Sequence, residues 1–235
     1  MDRDVSASHE LRSFGRRRGR KLSPRQETLL GQLLPRISLD VTRPAAPDQL
    51  GADDTPLWLE IGFGGAEHLI WQAEHNPAVR IIGCEPFEEG VVKALAQIES
   101  NGLGNIRLYT DDARDVLRWL PPACLERCFI LFPDPWPKKR HVKRRLVSAA
   151  TLALVARALK PGGDLRIGTD IGDYARTILI AAAATPQLEW QARSAHDWRI
   201  RPDDWPETRY EAKAVREGRQ RYFLIFRRTS PHGNG

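Results

Sequence analysis

Cysteine is scarce in this chain. There are 3 in 235 residues, an odd number. That argues against a disulfide framework and for a reducing, cytoplasmic setting. Cys124 and Cys128 could offer two ligands to zinc, but no second ligand pair stands at suitable spacing. No metal is expected. Long apolar runs are missing too. The longest, Ile178 to Ala184, falls far short of the roughly 20 residues that span a bilayer. The Arg-rich start has no apolar segment of the kind a secretory signal carries. Asp2, Asp4 and Glu10 set it apart from an acid-poor transit peptide. No membrane association is expected, and no obligate protein partner is evident.

Positive charge is in excess, with 36 Lys and Arg against 30 Asp and Glu, a net +6. Such a balance favours an anionic partner, nucleic acid or phosphate. Seven of the basic residues lie between Arg12 and Arg25. With little there to bury, residues 1–25 read as a flexible basic arm that orders on phosphate. A short helix follows in "SPRQETLLGQLL", capped by Ser23 with Pro24 in its first turn. "RPAAPDQLGADDTP" then reads as a linker. The expected organisation is an arm, helix and linker over 1–54, one catalytic domain over 55–230, and a tail at 231–235.

From Pro56 strands alternate with helices. "PLWLEIGFGG", "VRIIGCE", "NIRLYT", "LERCFILF" and "DLRIGTD" read as strands, with later ones at "LEWQA" and "RYFLIFRR". Helices are expected between them, including a long one over "VKRRLVSAATLALVARALKPGG" that Pro161 and its glycines end. Strands alternating with helices imply an α/β fold, a doubly wound, mostly parallel Rossmann-like sheet.

In such sheets ligands bind outside the carboxyl ends of the strands. Acids stand at four of those ends: Glu60, Glu85, Asp112 and Asp134. Successive acids lie roughly 25 residues apart, about one strand–helix unit, so they are expected to line one rim. "EIGFGGA" supplies Gly62 and Gly64, with Ala66 where a third glycine could stand. Glycines allow a sharp turn and close approach to a ligand. Glu85 follows at the distance from which an acid hydrogen-bonds a ribose diol. A dinucleotide and S-adenosylmethionine both satisfy that pattern. An acid-lined rim tilts the balance, because it suits a cationic donor and repels a pyrophosphate.

"LFPDPWPKKRHVKRRL" joins two opposite features. Three prolines bracket Asp134 and Trp136, and both residues are expected to be extended because each precedes a proline. Six of the eight residues from Lys138 to Arg145 are Lys or Arg. This run is expected to open the following helix, where a helix dipole disfavours cations, so the placement suggests phosphates as partners. His141 is expected to be depressed in pKa by its basic neighbours. His68 and His75 are expected on helix surfaces.

"LEIGFGGAEHL", "GCEPFEEGV", "DDARDVL", "FPDPWPKKRHVKRRL", "LKPGG" and "TRYEAKAVREGR" together resemble the bacterial tRNA (guanine-N7)-methyltransferase family, over roughly Arg12 to Arg228. The glycine loop is common to many methyltransferases, whereas "PDPWPKKRH" and "TRYE" are specific to this family. The resemblance implies the class I S-adenosylmethionine-dependent fold. It implies methyl transfer to N7 of the tRNA variable-loop guanine usually numbered forty-six, with S-adenosylhomocysteine as product. By motif match it assigns Glu60, Gly62, Glu85, Asp112 and Asp134 to the cofactor, with Asp134 also catalytic. Lys138, Asp170, Thr208, Arg209, Tyr210 and Glu211 are assigned to the substrate. Arg140, His141, Val142, Lys143, Arg144 and Arg145 are assigned to RNA. Ala66 stands where the family usually has its third glycine.

Overall fold

The computed structural model of the protein describes residues 21–52 and 54–230. Most of the expected arm, and the tail at 231–235, lie outside these residues. The chain enters through α1 (Pro24–Thr28), a π-helical turn (Leu29–Leu33) and α2 (Leu34–Ile37). Ser23 caps this segment in a reciprocal pair with Gln26. The wider turn falls just before Pro35, whose ring and missing N–H disrupt regular helical bonding to the preceding turn. The stretch read as a linker contains one short helix, α3 (Pro47–Leu50).

The elements then run β1 (Leu57–Ile61), α4 (Glu67–His75), β2 (Arg80–Cys84), α5 (Glu88–Ser100), β3 (Ile106–Tyr109), α6 (Ala113–Trp119) and β4 (Leu125–Leu131). A 3₁₀ turn (Lys139–Arg144) leads to α7 (Ala149–Ala158), β5 (Leu159–Thr169), α8 (Gly172–Ala183), β6 (Leu188–Trp190), α9 (His196–Arg199), α10 (Arg209–Arg216) and β7 (Tyr222–Arg228). The seven-stranded sheet has the order β3-β2-β1-β4-β5-β7-β6. β1 to β5 pair in parallel, and β7 lies antiparallel between β5 and β6.

All five residues of β1 are buried, as expected of a parallel strand covered on both faces. Side chains alternate between those faces. Leu57, Leu59 and Ile61 pack with residues of α6, α7 and α8, while Trp58 packs with residues of α4 and α5. Chain order reverses between β1 and β4, which are paired neighbours. That switch point opens a crevice at the carboxyl ends of the strands.

One expectation fails here for a clear reason. The stretch "VKRRLVSAATLALVARALKPGG", expected as one long helix, ends the 3₁₀ turn, forms α7 and starts β5. Arg145 is drawn inward to Pro135, Thr177 and Asp173, and Val147 N–H donates to Tyr174 Oη at 3.1 Å. Ser148 then starts α7 by accepting from Thr151 N–H. The helix stops at Ala158, and β5 begins at Leu159, ahead of Pro161. The basic run therefore sits on its own 3₁₀ turn, away from the helix N-terminus.

Candidate active site

A cavity of about 350 Å³ occupies the switch point, within the size range of small-molecule sites. Loops after each of β1 to β4 line it, with Gly62 and Gly64, Glu85 to Phe87, Asp111 to Arg114, and Phe132, Pro133, Asp134 and Trp136, and the end of the basic turn adds Lys143 to Leu146. Tyr210 at the start of α10 closes it from above. A Cβ placed on Gly64 would meet the Tyr210 ring at 3.0 Å. Gly62 has φ +77° and Gly64 φ +54°, conformations that glycine adopts without a side-chain penalty. A Cβ on Gly62 would meet no protein atom within 4 Å, so the cavity comes right up to the backbone there. Ala66 also adopts a left-handed φ of +69°. The loop keeps its turn without the third glycine.

Three of the four acids share this cavity. Glu85 accepts Gly64 N–H at 2.8 Å and Phe87 N–H at 2.9 Å. Burial raises its carboxyl above the usual range, those N–H bonds pull it down, and nearby Asp134 and Glu60 push it up. Asp112 caps α6 through Arg114 N–H at 3.0 Å. It is also bridged by the Arg114 guanidinium at 2.9 Å and 2.5 Å. Asp134 is different. Its side chain stays open to the cavity, and crowding by the protein raises its carboxyl. Glu60 departs from the expected rim. It is 2% exposed, borders a small adjoining cavity with Gly62, Phe63 and Tyr210, and binds His68 Nδ1 at 2.8 Å.

Backbone geometry holds Asp134. Phe132 has φ +49° and Trp136 φ +42°, although each precedes a proline. Trp136 is thus left-handed, not extended as the proline rule suggests. Both are strained conformations of the kind that surrounding structure must hold in place. Phe132 N–H donates to Gly168 O at 2.7 Å. Arg145 Nε–H donates to Pro135 O at 2.8 Å. Arg144 lies over the Trp136 ring, 5.1 Å from its centroid, and His141 meets that ring edge-on. Trp136 lines the cavity while packed within its own loop.

Arg145 is a correction to the basic run read from the sequence. Its side chain is 3% exposed. Its other nitrogens donate to Thr177 Oγ1 at 2.8 Å and Asp173 Oδ2 at 2.7 Å, and it sits over Tyr174. Arg145 clasps the Asp134 loop, with its guanidinium turned inward. Arg140 and Lys143 are exposed, whereas His141, Val142 and Arg144 are half-buried on the same turn. The His141 pKa is lowered, first by desolvation and then by Arg144, Arg140 and Lys138. Lys138 is exposed at the start of that turn, outside the cavity lining.

The remaining substrate candidates come from the start of α10 and the end of β5. Thr208 caps α10 and borders the small cavity. Arg209 pairs with Glu67. Asp170 is held by Arg219 at 2.7 Å. Glu211, buried, pairs with Arg201 at 3.2 Å and Arg221 at 3.5 Å.

The surface placement expected of His68 is overturned, and Gly90 was not singled out in the sequence. His68 is 2% exposed, while His75 is on the surface as expected. Gly90 lies inside α5, and a Cβ there would stand 2.4 Å from Gly64 O. The helix thus presses directly on the glycine loop. An interior helix glycine was the signal for it.

The family described as "Putative methyltransferase" matches residues 54–224. A curated tRNA (guanine-N(7)-)-methyltransferase of Rhodospirillum rubrum is 47% identical over 227 residues, covering 94% of this chain and 89% of the relative. A curated protein of the same name from Hyphomonas neptunium is 48% identical, covering 87% and 94%. The chain belongs to the tRNA (guanine-N7)-methyltransferase family. Among solved structures, TrmN from Thermus thermophilus aligns with a TM-score of 0.54 at 15% identity, over 77% of this chain and 46% of that one. The aminoglycoside resistance methyltransferase NpmB1 aligns at 0.52 and 17% identity, over 80% and 95%. These two share the Rossmann-like methyltransferase fold with this family member.

Among the described residues no cluster of three or more His, Cys, Asp or Glu could hold a metal. None of their helices is long and apolar enough to cross a membrane.

Proposed function

We propose that this protein transfers a methyl group from S-adenosylmethionine to N7 of the variable-loop guanine of tRNA. One observation carries the reading. A cavity with a glycine floor holds two tethered acids, Glu85 and Asp112, and a third, Asp134, to which no described residue hydrogen-bonds, beside a cationic turn on which Arg140 and Lys143 are exposed. The names of the curated relatives support the same substrate.

The residues fit a cationic, ribose-bearing donor. Gly62 leaves open space where a side chain would stand. Glu85 keeps lone pairs for a ribose diol while its backbone partners fix its orientation. Asp112 would hold the adenosine end, and Glu60 the amino-acid end. When bound, the donor supplies a methyl group on a positively charged sulfur.

Guanine N7 carries a lone pair and no proton, so attack on that methyl needs no base to remove one. A bond forms from N7 to the methyl carbon as the sulfur–carbon bond breaks, and its electron pair stays on sulfur. Positive charge moves to the guanine ring. Asp134 accepts from guanine N1–H and the exocyclic amine and stabilises that charge where it develops. Phe132, Trp136 and Tyr210 keep water out and fix the alignment of the reacting atoms. Arg140 and Lys143 take phosphates, which positions the RNA without reading bases. Thr208, Arg209 and Glu211, with Asp170, shape the guanine side. The cytoplasm is where such a substrate would be met.

The test is incubation of the protein with unmodified tRNA and labelled S-adenosylmethionine, followed by chemical mapping of N7-methylguanine. Label at a single variable-loop guanine is expected. Label elsewhere, or none, overturns the reading.

A further inference from the structure

Glu60 presents an electrostatic problem. It is 2% exposed, yet among the described residues only His68 hydrogen-bonds its carboxylate. A buried carboxylate needs several donors. The adjoining cavity, about 10 Å³ in volume, is the space from which a ligand's donor could reach it.

The proton on His68 can be placed from its neighbours. Asn76 Nδ2–H donates to Gln72 Oε1 at 3.2 Å, which fixes the Gln72 amide with its NH₂ towards His68. That NH₂ donates to Asp204 O at 2.8 Å and meets His68 Nε2 at 3.1 Å. Nε2 therefore accepts, and the ring proton sits on Nδ1, where it donates to Glu60 Oε2. His68, Gln72 and Asn76 are spaced i, i+4, i+8 along one face running past the end of α4. Phe129, with its centroid 4.6 Å from the His68 ring, packs on it edge-on.

We propose that His68 is a positioning residue for the methyl donor. Its Nδ1–H, locked by Gln72, holds Glu60 so that the carboxylate meets the ammonium of the donor's amino-acid portion. The inference rests on the proposed donor, and the test separates the two. S-adenosylhomocysteine keeps the ammonium, whereas 5′-methylthioadenosine keeps the adenosine and sulfur without it. Calorimetric titration of both into wild type, His68→Phe and His68→Asn reads the effect. Phe keeps ring volume without a donor, and Asn places an N–H near the position of Nδ1.

S-adenosylhomocysteine is expected to bind His68→Phe about tenfold more weakly or worse, the usual scale for a hydrogen bond to a charged group. Binding of 5′-methylthioadenosine should stay within about twofold, and His68→Asn should recover most of the loss. Equal losses for both probes would mean a merely structural ring and overturn the proposal, as would no loss for either. Wild type that binds neither probe would overturn the donor assignment itself. Nitrogen-15 spectra of the wild-type imidazoles, assigned with His68→Asn, give a second reading. A proton on Nε2 instead of Nδ1 sinks the proposal even if His68→Phe does not fold.

Discussion

The acids around the switch point are held by opposite means. Three carboxylates are tied by side-chain or backbone hydrogen bonds: Glu60, beside the small adjoining cavity, by His68, Glu85 by two N–H groups, Asp112 by Arg114 and its own helix. No described residue hydrogen-bonds the Asp134 carboxylate. Its backbone is fixed instead, by three prolines, two left-handed residues and the Arg145 clasp. Tying a carboxylate orients it but occupies its lone pairs. Fixing the backbone orients it and leaves those lone pairs for a ligand. The first device suits groups that hold a cofactor through every cycle, and the second suits a group that engages substrate transiently.

The largest test of this contrast is Asp134→Ala. Turnover is expected to fall about 100-fold or more, while S-adenosylhomocysteine affinity changes by less than about threefold. Single-turnover rates and calorimetry on the same preparation separate the two. A rate equal to wild type would remove Asp134 from the chemistry.

Arg145→Met asks whether the clasp positions Asp134. Losing three hydrogen bonds is expected to destabilise the fold by about 2–3 kcal/mol and to lower kcat about tenfold, because strained residues relax when their support goes. The salt dependence of tRNA binding should stay as in wild type, read as the slope of log affinity against log salt. A slope that shrinks by about one unit would instead make Arg145 a phosphate contact.

The smallest effect concerns stability. The raised Asp134 pKa means that the native state binds this proton more readily than the unfolded chain does. Its contribution to stability therefore falls as pH rises through the ordinary carboxylate range and the raised native value. Asp134→Asn removes that penalty and should raise Tm slightly at pH 7, with the gain gone near pH 3. Asp112→Ala should instead lower Tm at pH 7, losing a cap and an ion pair for about 1–2 kcal/mol. Thermal unfolding at the two pH values checks both signs. A lower Tm for Asp134→Asn at pH 7 would break the contrast.

The sequence alone determined the alternation of strands and helices, since burial of both sheet faces leaves apolar runs ended by glycine, proline and capping residues. It also located the acids after β2, β3 and β4 and the family motifs, because strand ends are local features, whereas Glu60 stands within β1. Tertiary structure decided what each polar group does. Arg145 reads as one more cation in a basic run, but Asp173, Thr177 and Pro135 meet it only through folding. Trp136 precedes a proline and should be extended, yet it is held left-handed. His68 looks like a surface histidine until β1 brings Glu60 against it. Capping and periodicity act between residues a few positions apart, so they leave a trace in the sequence. Hydrogen-bond partners across the sheet are chosen by three-dimensional proximity, which leaves none.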